Sequence, residues 1–182
     1  MPVLISLLRG VNIGGHRKVT MDGLRALYQS LGFECVHTYI NSGNVLFRAT
    51  ERDQVRLRNR IERAIESAYG FRVDVILRMP SDLRQVMATN PFAARPGMEP
   101  GKFAIHFLAS EPSAAARNQV LAIDAAPEEL RIEGRELYIY FPNGMARPKL
   151  SMPLLEKTLK TPGTSRNWNT VRKLLEIAER LE

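Results

Sequence analysis

The 182-residue chain has one cysteine and three histidines, and each scarcity excludes something. Cys35 has no partner for an internal disulfide, so a reducing, cytoplasmic setting is expected and a buried structural thiol is its simplest role. His16, His37 and His106 stand apart from one another, from Cys35 and from carboxylates at ligand spacing. No metal site and no cofactor are therefore expected. His106, between Ile105 and Phe107, reads as a satisfied core or interface histidine. Apolar runs are short, far from the ~20 residues that span a bilayer, so no membrane partner is expected. The opening Met1–Leu8 has no basic region before it and no small-residue cleavage site after it, and reads as a strand rather than a signal peptide. Aromatics make up 7% of the residues. Val45-Leu46-Phe47 lacks the aromatic pattern of an RNA-recognition sheet.

Charge is plentiful. Lys and Arg number 26 against 19 Asp and Glu, a formal net charge of +7. A basic balance favours anionic partners, and arginine suits bidentate contact with phosphate or carboxylate.

Periodicity places the elements. Val3 to Arg9 is a run apolar but for Ser6 and the closing Arg9, hence a strand buried on both faces. Thr20 caps a helix from Met21 to Leu31, closed by Gly32. Cys35–Ile40 and Val45–Arg48 are strands joined by the turn Asn41-Ser42-Gly43-Asn44, which needs positive φ at Gly43. Glu51–Tyr69 is a helix ended by Gly70, and Val73–Met79 is a strand. Leu4, Leu7, Leu24, Leu27, Ile61 and Ile65 fall on apolar faces and are expected to be buried.

A helix starts at Pro80-Ser81-Asp82 and runs to Met87, and Asn90–Gly101 reads as a linker with three prolines. The strand Lys102–Leu108, the helix Ser113–Asp124, the hairpin Glu129–Ile132 with Glu136–Phe141, and the helices Ser151–Leu159 and Asn167–Leu181 follow. A fourth strand in this half is not evident.

The order predicts an α+β chain of two ferredoxin-like, α-β plait domains packed together with a cleft between them, each an antiparallel sheet with helices on one face. The expected boundaries are 1–79 for the first domain, 80–101 for a helix and Pro/Gly-rich linker, and 102–182 for a second plait with a C-terminal helix.

Two polar segments are the candidate ligand-binding residues. Arg9, Gly10, Asn12, Gly14, Gly15 and Lys18 lie at a strand-to-helix junction, where backbone N–H groups and cations can hold an anion. Gly10 and Gly15 have the spacing of a P-loop's outer glycines, but His16 follows where Lys is required. Arg166, Asn167, Trp168 and Asn169 open the last helix, with Thr164 or Ser165 as its cap. Asparagine is a poor residue for a helix interior. Lys149 adds a cation from the loop after the second hairpin. These donors suit a small phosphate- or carboxylate-bearing ligand in a cleft where the two segments meet. No general base stands out among them, so the sequence leaves open whether a reaction occurs. Arg52, Arg56, Arg60 and Arg63 form a stripe that could follow a nucleic-acid backbone, but a solvated face is the simpler reading. A protein-interaction or regulatory domain is the third alternative.

Three segments carry a resemblance. Leu8-Arg9-Gly10-Val11-Asn12-Ile13-Gly14-Gly15, Thr38-Tyr39-Ile40-Asn41-Ser42-Gly43-Asn44-Val45 and Arg166-Asn167-Trp168-Asn169-Thr170-Val171 resemble, in this order, the bacterial domain-of-unknown-function family 1697. The resemblance implies two plait domains and carries no catalytic residues over. Pro148 stands where it implies serine in many relatives, which weakens a serine mechanism at that position.

Overall fold

The structure is a computed structural model describing residues 1–182. It is α+β, with two four-stranded antiparallel sheets and six α-helices. The chain divides into two compact units, Met1–Arg84 with Lys173–Glu182, and Gln85–Arg172.

In the first unit β1 (Val3–Leu8), α1 (Met21–Ser30), β2 (Glu34–Tyr39), β3 (Asn44–Arg48), α2 (Gln54–Tyr69) and β4 (Val75–Arg78) follow in sequence, and α3 (Pro80–Ala88) begins at its end. The sheet order is β2-β3-β1-β4. All six residues of β1 are buried, as a strand apolar at every position but Ser6 requires. Leu4 and Leu8 face the helices in one core with Leu24, Tyr28, Phe47, Leu57, Ile61 and Ile65. Leu27 packs on that core only partly buried, unlike the full burial expected, because Leu24 and Tyr28 take the centre of the α1 face. Gly32 and Gly43 both have the expected positive φ, at 77° and 78°.

Asp53 caps α2 by accepting the N–H groups of Val55 and Arg56. The helix therefore starts three residues later than Glu51, and Arg52 lies outside it. Cys35 is exposed, not buried. It sits at φ 50° where the β2–β3 register shifts, and the bulge turns it away from the core.

The second unit repeats the order with β5 (Phe103–Leu108), α4 (Ala114–Leu121), β6 (Glu129–Glu133), β7 (Glu136–Tyr140), α5 (Met152–Leu159) and β8 (Gly163–Asn167), in a sheet ordered β6-β7-β5-β8. Strand β8 is the one that periodicity misses. Gly-Thr-Ser-Arg-Asn has no apolar alternation, yet it pairs with β5 along its whole length. Thr164 and Ser165 are thus strand residues rather than a cap. Asn167 does the capping, accepting the Asn169 N–H at 2.9 Å.

Helix α6 (Trp168–Leu181) contains the second division between the units. Its last turns belong to the first, where the Arg48 guanidinium donates to the Leu181 carbonyl at 2.8 Å and Arg84 pairs with Glu179 at 3.0 Å. The expected boundaries, 1–79 and 102–182, differ from this division. The segment read as a linker, 90–101, lies wholly in the second unit, where Arg95 pairs with Glu129 at 2.6 Å.

Candidate anion-binding site of the first unit

The loop from β1 to α1 is tightly wound. Gly10, Asn12, Gly14, Gly15 and Arg17 all have positive φ, and a short bridge pairs Ile13 with His16 across the two central glycines. Positive φ at both central positions is what a two-residue hairpin turn needs, so Gly14 and Gly15 have a local structural cause. The Asn12 side chain fixes the base of the loop. Its Nδ2 donates to the carbonyls of Val19 at 2.9 Å and Asn41 at 2.8 Å, and its Oδ1 accepts the Val19 N–H at 2.9 Å.

The loop's cations line two different cavities. Lys18, Asn12 and Gly15 line a shallow hollow at the start of α1 together with Asn41. Arg9 and Arg17 line a different cavity, of about 500 Å³, with Asn59, Glu62, Arg63, Glu66, Arg72, Val73 and Asp74. That volume is in the range of small-molecule sites.

The cavity is assembled from three pieces. Asn59, Glu62, Arg63 and Glu66 follow the i, i+3, i+4, i+7 spacing of one helix face, and the core residues Leu57, Ile61 and Ile65 occupy another. Arg72 and Asp74 enter on the segment leading into β4. Arg9 is brought beside Asp74 by continuation of the β1–β4 ladder, its N–H donating to the Asp74 carbonyl at 3.0 Å.

Its three carboxylates are matched. Asp74 pairs with Arg9 at 3.5 Å, Glu66 lies 3.7 Å from Arg72, and Glu62 accepts the Val75 N–H at 2.9 Å and faces Arg58. Arg17 and Arg63 are exposed and have no ion pair. A Cβ added at Gly10 would make only an ordinary contact with the Arg17 guanidinium, at 3.7 Å, so it is the positive φ of 67° that calls for glycine there.

The candidates of the C-terminal third lie in the second unit. Arg166 is 5% exposed and donates to the Thr164 hydroxyl at 2.7 Å and the Ser165 carbonyl at 2.9 Å. Burial pulls its pKa down to about 10. Trp168 packs on Phe103 with ring centres 4.8 Å apart. Asn167 donates to the Gly101 carbonyl at 3.0 Å, and Lys149 lies 3.4 Å from Asp124. The cavity holding Arg9 contains none of these residues.

Arg17, Arg63 and Arg72 escaped the sequence reading of the site. Arg63 was visible only as a member of the arginine stripe, which the structure disperses. Arg56 pairs with Asp53 at 3.4 Å, while Arg60 donates to the Leu31 carbonyl and stands over the Phe33 ring at 5.4 Å.

The family model described as "Protein of unknown function (DUF1697)" matches residues 1–138. The chain belongs to that family. This DUF1697 chain is also similar to the solved structure of conserved bacterial protein SP0830 from Streptococcus pneumoniae, with 24% identity and a TM-score of 0.70. The likeness covers 97% of this chain and 98% of that one, and it establishes the fold. No curated protein matches. No helix is long and apolar enough to cross a membrane.

Proposed function

We propose that the first unit binds a small phosphate- or carboxylate-bearing ligand in the cavity between the β1–α1 loop and α2. The observation that carries this reading is the pair Arg17 and Arg63, two cations without carboxylate partners in a cavity whose three acids are matched. Arg9 and Arg72 border the same space. Planar guanidinium groups bind such anions with charge-assisted hydrogen bonds. Both units are read as ferredoxin-like plaits, supported by the repeated strand order. A cytoplasmic setting is supported by the single thiol. A nucleic-acid backbone is the less favoured ligand, because Arg56 and Arg60, two of the arginines that would follow it along α2, have separate local partners.

Calorimetric titration with inorganic phosphate and pyrophosphate tests the reading. The parent binds, Arg17→Gln with Arg63→Gln weakens binding by roughly tenfold or more, and Arg56→Gln leaves it unchanged. No binding by the parent at low salt, or equal binding by the double variant, overturns it. Tight RNA binding that falls steeply with salt would put nucleic acid in its place.

A further inference from the structure

Strands β5 and β8 pair so that His106 stands directly opposite Ser165. Ala104 and Leu108, on the same face of β5 as His106, pack against Leu155 and Leu159 of α5. The imidazole therefore lies under α5, within reach of Glu156. Its Nδ1 is 2.8 Å from the Ser165 Oγ, and its Nε2 is 3.4 Å from the Glu156 Oε1. The Gly163 N–H donates to that same Oε1 at 3.3 Å, which helps hold the carboxylate in place. His106 is 3% exposed, and its Nε2 is buried without a hydrogen bond. Ser165 is exposed. A Cβ at Gly163 would lie 2.3 Å from Nε2, so that glycine gives the ring its space.

We propose that Ser165 is an activated nucleophile accepting acyl groups from small esters, with His106 as its base and Glu156 positioning the imidazole. A carboxylate beside Nε2 favours the tautomer protonated there, which leaves the Nδ1 lone pair to accept the Ser165 hydroxyl. This is the order nucleophile, base, acid, with the ring reversed relative to the usual serine triad.

The first unit supplies a comparison inside the same chain. Ser6 takes the register position of His106, opposite Val45 and Leu77 where His106 faces Leu137 and Ser165. Ser6 is fully buried and its hydroxyl is 2.7 Å from that of Tyr28. There the polar pair closes inside the core. In the second unit the same position leads to the hydroxyl of an exposed residue, Ser165, and to a buried Nε2 that makes no hydrogen bond although the Glu156 carboxylate lies 3.4 Å away.

The chemistry balances with water as the only co-reactant. Ser165 Oγ attacks the ester carbonyl carbon as its proton passes to Nδ1. The bond to the alcohol oxygen breaks, and the leaving alcohol takes that proton. Water, giving a proton to Nδ1, then attacks the acyl-serine. The acyl–oxygen bond breaks, the proton returns to Oγ, and the net change is ester and water to carboxylic acid and alcohol. All groups belong to the second unit, so the proposal stands independently of anion binding in the first.

The test uses the full chain and 4-nitrophenyl acetate, with acid quenching and peptide mass mapping. Ser165 is expected to acetylate at least ~10²-fold faster in the folded chain than in the urea-unfolded chain. His106→Gln is expected to slow the folded protein by a similar factor. Glu156→Gln slows it less, and Glu156→Asp, which keeps the charge, recovers part of the loss. Ser165→Ala removes the adduct and, being an exposed edge-strand change, preserves the fold. Acetylation of Ser165 no faster when folded than when unfolded overturns the proposal, whether or not the His106 variant folds.

Discussion

The Asn12 amide donates to the Asn41 carbonyl at 2.8 Å, tying the glycine-rich loop after β1 to the β2–β3 turn. Two of the segments that carry the family resemblance are thereby one structural unit. Asn12 also has φ 57°, a conformation asparagine tolerates better than most residues. Changing Asn12→Asp keeps the acceptor for the Val19 N–H and loses both donor bonds. A loss of roughly 1–3 kcal/mol in urea unfolding is expected.

Gly43 is the other side of that junction. A Cβ there would lie 2.7 Å from a Val11 methyl and 2.8 Å from the Leu8 Cβ, at φ 78°. Gly43→Ala combines a close contact with a left-handed backbone, and should cost roughly 2–4 kcal/mol by chemical denaturation.

Helix α1 offers a paired test of register. Leu24 is fully buried and Leu27 only partly. Leu24→Ala should cost roughly 2–5 kcal/mol, and Leu27→Ala about half of that or less. Equal thermal shifts would contradict the packing described.

Alkaline pH tests the burial of Tyr28. Burial raises the Tyr28 pKa far above its ordinary 10.0, partly offset by its hydrogen bond to Ser6. The unfolded chain releases this proton near the ordinary value and the folded chain holds it. The contribution to stability is therefore whole below pH 10 and declines as pH rises toward the folded value. Ultraviolet titration should show Tyr28 ionising only together with unfolding.

Much of the fold was legible in the sequence because it rests on local chemistry. The apolar run at Val3, the Thr20 cap and the positive-φ glycines Gly32 and Gly43 each announce an element. Strand β8 was not legible, since its residues are polar and only pairing with β5 makes them a strand. The site was legible in part. Arg9 belongs to a recognisable junction, but its cavity also needs Arg63 from α2 and Arg72 from the approach to β4. Those residues converge only through the sheet order. The sequence marks Asn12 as a ligand donor, and its hydrogen bonds hold the loop together. His106 and Ser165 lie 59 positions apart, and only strand pairing joins them.

The most direct measurement of the central claim is a crystal soaked in tungstate, whose anomalous signal locates a bound oxyanion. An anion within hydrogen-bond reach of the Arg17 and Arg63 guanidinium groups is the result expected. Tungstate bound only elsewhere, or no site at all in this cavity, would contradict it.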